Sequence, residues 1–271
     1  FITISERPAL QELKRTSKLS LHDWESKNFQ DEALRMSFTN IASQLEESLS
    51  IEVMKMKDDK GLRYQLLDVL VASYDCFNGV YGALWANVQM TDGKGIQRYM
   101  AMQARFRECI HASEAAGHTP KQGSEDLIDL YLSYASTVGI FDNKMEEIAS
   151  KTGAMWSLAP AKQVFRILEK KLLRRGAQGV IKVCDAGRGM FEAETMDDVC
   201  NVREALLELS DTDANFWLVR IKERFVHASS GGWRDDLDNF KVINDRGDFH
   251  TFEVQISQGK MLTARKTLDG H

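Results

Sequence analysis

The spacing of apolar residues changes part-way along this chain, and the change limits what the chain can fold into. Up to about residue 153 apolar side chains recur every three or four positions, as on one face of a helix. Beyond Gly176 they recur every second position, as on a strand. Only three prolines occur in 271 residues, so little interrupts the helical part. Long helices followed by short alternating segments make an α+β protein. The expectation is an N-terminal helical bundle over residues 1–153 and a mixed β-sheet domain with flanking helices over residues 154–271.

In the first half, Leu34, Phe38, Ile41, Leu45, Leu49 and Val53 form one stripe on a helix that stops near the turn Asp58 to Gly61. The next segment, Leu62 to Met90, is apolar almost all round. Asp68 and Asp75 lie inside it, and an unpaired carboxylate in hydrocarbon costs several kcal/mol, so a buried central helix is expected rather than a membrane span. A further helix is expected from Ile96 to about Ala116, and another after Ser124, read as its N-cap. These stripes carry no HExxH motif and no glycine-rich phosphate loop. His22-Asp23 is an isolated pair, without the other ligands a metal-dependent hydrolase needs. Apolar surface left exposed on this half would point to docking of a protein partner.

Charge removes two classes of partner. The formal net charge is −5, so neither nucleic acid nor an anionic bilayer is expected to be gripped electrostatically, though a local basic pocket fits within that total. Cys76, Cys109, Cys184 and Cys200 are scattered, with no pair at zinc or disulfide spacing. Reduced thiols in an intracellular, reducing compartment are the expectation. The chain opens on Phe1, and removal of a targeting peptide would allow an organelle.

In the second half, one helix is expected from Ser157 to Arg175, basic towards its end. Strand-like segments follow around GVIKVCDAGRGMFEAE, NFWLVRIKERF, WRDDLDNFKVIN and DFHTFEVQIS, with a helix from Met196 to Leu209 and a closing helix from Gln258 to about Leu268. NDRGD at 244 to 248 and SSGGW at 229 to 233 read as the breaks between strands. The last strand puts Phe252, Val254 and Ile256 on one face and Thr251, Glu253 and Gln255 on the other. Asp185 is read as the end of an earlier strand, before Gly187 and Gly189. Two carboxylates on neighbouring strands would hold a Mg²⁺ through hard oxygen ligands, leaving positions for water and substrate phosphates.

Taken singly, these residues also have plain readings. Lys162 and Lys170 would form a solvated basic face, Trp233 a packed turn aromatic, and Asp185 a turn former. Arg188 would be an ordinary ion-pair partner, and Glu253 would pair with Arg234 or Lys241 across the hairpin.

The order of the motifs resembles the synthetase domain of the RelA/SpoT family of guanosine tetra- and pentaphosphate synthetases, over Pro160 to His271. APAKQVFRILEKK resembles the family's basic helix, whose two lysines eight residues apart contact ATP phosphates, and Lys162 and Lys170 have that spacing. KVCDAGRGMFEAE resembles the segment with the metal-binding aspartate, which gives Asp185 that role and Arg188 the adjacent basic position. VRIKERF is similar to the strand with a nucleotide-contacting basic residue, here Lys222 and with it Arg220. GGWRDDLDNF is similar to the motif whose tyrosine stacks on guanine, which places Trp233 there. FEVQIS resembles the family's Glu-x-Gln-Ile strand, so Glu253 would be the second catalytic carboxylate, with Gln255 beside it.

The resemblance implies a nucleotidyltransferase-like fold and a Mg²⁺-dependent transfer of pyrophosphate from ATP to the 3′-hydroxyl of a guanine nucleotide. The chain departs from the family at Pro160, where an arginine is usual, and at Arg234-Asp235-Asp236, which stands where a serine and a histidine follow the aromatic residue. The two aspartates would bring negative charge to a site for anions. These departures imply the alternative of a catalytically degenerate relative, serving as a nucleotide-binding or structural subunit of an assembly.

Overall fold

In a computed structural model the structure describes residues 32–173 and 179–267, and His22-Asp23 lies outside them. The chain enters through α1 (Glu32–Asp58) and α2 (Lys60–Thr91), followed by α3 (Gly93–Ala101), α4 (Gln103–Ala115) and α5 (Leu127–Thr152). Then come β1 (Met155–Ala159), α6 (Val164–Leu173), β2 (Gly187–Ala193), α7 (Met196–Thr212), β3 (Phe216–Glu223), β4 (Asp236–Ile243), β5 (Phe249–Gln258) and α8 (Gly259–Thr267). The protein is α+β, and its five strands form one mixed sheet in the order β1-β2-β5-β4-β3. Only the β2–β5 pair is parallel.

The segment expected to open a helix at Ser157 is instead β1, antiparallel to β2. Five residues are too few to show a period. Pro160 then ends the strand, since its ring removes a donor and holds the residue before it extended. Asp185 does not end a strand either; it stands in the turn before β2. The helix after Ser124 is capped by Asp126, whose carboxylate accepts from the Ile128 N–H at 2.6 Å, while Ser124 Oγ takes the Asp126 N–H at 3.0 Å.

One continuous hydrophobic cluster joins the helices and the sheet. Trp85, Tyr99, Phe106 and Phe141 from α2 to α5 share it with Leu206 of α7 and with Phe191, Phe240, Phe252, Val254 and Ile256 of the strands. Phe141 and Phe252 stack at 4.1 Å. This apolar set forms the back of the sheet. The front, carrying the alternate residues, is left for α8 and for a cavity.

The apolar segment Leu62 to Met90 is a single helix, but it is not buried along its length. Tyr81, Trp85 and Val88 are buried, whereas Leu67 is 53% and Leu70 56% exposed. A helix of 32 residues is about 48 Å long and outreaches the body that covers its second half. No helix among the described residues is long and apolar enough to cross a membrane. Cys109, Cys184 and Cys200 are buried free thiols and Cys76 an exposed one. On α1, Ala42 and Leu49 are buried.

Glycine at 187 lets helix and sheet approach closely. A Cβ there would lie 2.6 Å from the Phe252 ring and 2.8 Å from that of Tyr134, and Phe252 is fully buried. Gly187→Ala is therefore expected to cost about 1–3 kcal/mol by overpacking. Urea unfolding checks it, and an unchanged midpoint would show that the rings yield freely.

Candidate active site on the front of the sheet

Strand register sets the site out in rows. Arg188 of β2 lies beside Glu253 of β5, Glu253 beside Asn239 of β4, and Asn239 beside Arg220 of β3. The next row runs Met190, Gln255, Leu237, Lys222. Period-two alternation turns all eight to the front, away from the core side of Phe252 and Val254. The cross-strand neighbour of Glu253 is thus Asn239, and neither Arg234 nor Lys241 stands opposite it. Asn239 fixes Arg220 by accepting from its Nε at 2.8 Å, and its own amide donates to the Cys184 and Phe252 carbonyls, each at 3.1 Å.

Asp185 reaches the same place from the turn before β2. The ammonium groups of Lys162 and Lys170 both contact its Oδ2, while its Oδ1 is buried without a hydrogen-bond partner. The two lysines do not share a helix as their spacing suggested. Lys170 projects from α6, whose Val164, Phe165, Ile167 and Leu168 are buried. Lys162 lies in the preceding loop, fixed by its N–H on the Ala186 carbonyl at 2.8 Å and by the Tyr131 hydroxyl on its own carbonyl.

These environments push the two carboxylates apart. Burial alone would raise Asp185, but Lys170 and Lys162 outweigh it and hold the carboxyl at about 2. Burial pulls Lys162 down to about 8 although Asp185 opposes the shift. Glu253 is raised, first by burial and then by the negative charge of Asp185, with Lys222 and Lys170 opposing. Asp185 is therefore a fixed anion, and Glu253 is the readier to take a proton.

Asp185 and Glu253 line a cavity of about 360 Å³ together with Lys170, Lys222, Trp233 and Gln255. Lys182, Arg220, Arg224 and Arg265 add four more cations, against one further carboxylate, Asp235. Its walls hold six cations and three carboxylates, so it suits an anionic ligand despite the chain's overall negative charge. Arg188 stands outside this cavity and lines a second one of about 480 Å³. Glu253, Gln255 and Arg265 line both.

The aspartates after Trp233 do not oppose an anion as expected. Asp236 points to the back of the sheet, where Tyr99 donates to it at 2.6 Å and Arg203 approaches it to 3.0 Å. Asp235 faces the cavity but is engaged by Gln255 Nε2 at 2.6 Å and by Arg224 at 3.4 Å. Burial raises its carboxyl, against the pull of a Trp233 hydrogen bond and Arg224. Trp233 lines the cavity with only 6% of its surface exposed, the Tyr81 ring meeting it edge-on at 5.3 Å. Gly231 and Gly232, both with φ of +81°, make the turn that brings it there.

Reasoning from sequence missed Lys182, Arg224 and Arg265 as cavity residues. Arg265 alone left a signal: it follows the buried Met261 by four residues and so lies on the inward face of α8.

No family model matches the chain, and no curated protein matches it. Among solved structures it is similar to small alarmone synthetase 1 from Bacillus subtilis bound to its product pppGpp, with 18% identity, 49% of this chain and 73% of that chain covered, and a TM-score of 0.42. Small alarmone synthetase 2 from Bacillus subtilis follows with 17% identity, 48% and 70% coverage and a TM-score of 0.39. A GTP pyrophosphokinase family protein from Streptococcus pneumoniae has 16% identity, 48% and 68% coverage and a TM-score of 0.38.

Proposed function

We propose that the front of the sheet is the active site of a nucleotide pyrophosphokinase, which transfers pyrophosphate from ATP to the 3′-hydroxyl of a guanine nucleotide. The observation that carries this reading is the position of Glu253. It stands between two adjoining cavities, close enough to Asp185 to feel its charge, in a wall rich in cations.

Two substrates would meet across Glu253, one in each cavity. The acceptor's 3′-oxygen attacks the β-phosphorus of ATP, the bond from that phosphorus to the bridging oxygen of the α-phosphate breaks, and AMP leaves. Glu253, whose carboxyl is raised, takes the hydroxyl proton. Lys170, Lys222 and Arg220 neutralise charge on the phosphates, and Lys162 keeps Asp185 in place; positioning and charge supply most of catalysis in phosphoryl transfer. Gln255 steadies Asp235 and with it the Trp233 wall.

The donor set fits Mg²⁺. Asp185 Oδ1 is buried with no hydrogen-bond partner, and Glu253 in the same cavity offers a second hard oxygen. Magnesium is commonly held by one or two carboxylates, its other positions going to water and substrate phosphates. Asp185 and Glu253 would hold it, and when bound it would neutralise charge on the triphosphate.

Calorimetric titration with ATP, GDP and GTP, with and without Mg²⁺, tests the reading. Binding with Kd below about 1 mM, strengthened by Mg²⁺, and a 3′-pyrophosphorylated product on incubation are expected. Absence of binding to all three nucleotides would overturn the proposal, and binding without product would remove the transfer step.

A further inference from the structure

We infer that Arg265 is the residue that grips the transferring diphosphate, and that Trp233 serves as the seat of its guanidinium. This rests on the pyrophosphokinase reading and adds a group from the closing helix, outside all the motifs that suggested that reading.

Helix α8 is firmly docked. Met261 and Leu262 are buried against Tyr81 and Trp233, and Lys260 Nζ bonds to Asn87 Oδ1 at 2.8 Å and Thr91 Oγ1 at 2.9 Å. Arg265, three and four residues further on, shares their inward face. Its guanidinium carbon lies 5.1 Å from the centre of the Trp233 ring, within range of a cation–π contact. A ring already covered by Arg265, met by Tyr81 and only 6% exposed has little surface left for a purine. It does fix the direction of a planar cation.

Four cations near it are engaged. Lys170 is on Asp185, Arg224 on Asp235, Arg220 on Asn239, and neighbouring Lys266 on Glu192 at 2.9 Å. Among the described residues Arg265 has no carboxylate partner. A seated guanidinium with no carboxylate partner among the described residues, in a wall shared by two cavities, suits an anion. Since the diphosphate has to pass from one substrate to the other, the shared wall is where a cation acts throughout the transfer. The bidentate fork of arginine suits two phosphate oxygens at once.

The test uses the full chain with Arg265→Ala, Arg265→Lys and Trp233→Phe, each shown to unfold at the wild-type temperature. Arg265→Ala is expected to lower kcat about 10²–10³-fold, the scale of losing one preorganised donor to transition-state charge, with KM for the guanine nucleotide changed by less than about threefold. Arg265→Lys is expected to regain only part of this and Trp233→Phe most of it, while added guanidinium ion rescues Arg265→Ala but not Glu253→Gln. Binding of inorganic tripolyphosphate, measured by calorimetry, is expected to weaken about tenfold in Arg265→Ala.

A wild type that turns over, with Arg265→Ala within about threefold of it in both kcat and tripolyphosphate affinity, would overturn this inference and leave the pyrophosphokinase intact. A wild type that makes no product, yet whose tripolyphosphate binding depends on Arg265, would sink the transfer and uphold Arg265 as the phosphate ligand. A wild type that binds no tripolyphosphate would overturn both.

Discussion

Glu253→Gln is expected to lower turnover by about 10²–10⁴-fold, the usual worth of a general base, and to leave nucleotide binding within a few-fold. The change keeps the shape of the side chain and removes both the proton acceptor and one charge. Because Glu253 is raised by burial and by Asp185, removing its charge relieves the neighbouring carboxylate, so no loss of stability is expected. Asp185→Asn is expected to act differently. It strands the two lysine ammonium groups beside a neutral side chain, with Lys162 largely buried, so both turnover and thermal stability should fall. Steady-state kinetics on Glu253→Gln with a calorimetric binding control decides the first point. Full turnover in that variant would remove Glu253 from the chemistry, and lost binding would reduce it to a ligand-holding residue.

The change of period made the fold class legible, because helix and strand patterns need only a local stretch of sequence. The alternation around Glu253 was readable for the same reason, and Phe252, Val254 and Ile256 do face the core. What failed depended on contacts between distant segments. Met155 to Ala159 is too short to carry a pattern and becomes a strand only because β2 offers it an edge. The apolar all-round character of Leu62 to Met90 described composition and said nothing of how far the body extends to cover it. Asp235 and Asp236, adjacent in sequence where β4 begins, point to opposite sides of the sheet, so one joins the cavity and the other a buried ion pair.

That buried pair leads to the largest expected loss of stability. Arg203 of α7 and Asp236 and Asp238 of β4 are all fully buried. The guanidinium carbon lies 3.5 Å from the centre of the Phe106 ring and 4.6 Å from that of Tyr99, and Nη1 comes within 3.0 Å of Asp236 Oδ2, although off the line of a hydrogen bond. Arg203→Met preserves much of the volume and removes the only cation facing the two aspartates among the described groups. It is expected to cost about 3–5 kcal/mol, the range for breaking one side of a buried ion pair. A double variant, Arg203→Met with Asp236→Asn, should recover part of the loss, since it leaves one buried aspartate, Asp238, rather than two without their cation.

The cost should also shrink as the pH falls. Burial raises both carboxyls, Arg203 opposing, and Asp238 is brought to about 8. A carboxyl raised in the folded state lends stability that is fully present below its unfolded pKa, near 4, and is lost as the pH climbs through the folded value. Without Arg203 both carboxyls rise further, so Arg203→Met should lose most at pH 8 and least near pH 4. Urea unfolding of wild type and variant at the two pH values measures this. A loss below about 1 kcal/mol, or the same loss at both, would show that the aspartates are not charged against Arg203 and that the helix and the strand are held together by their apolar packing alone.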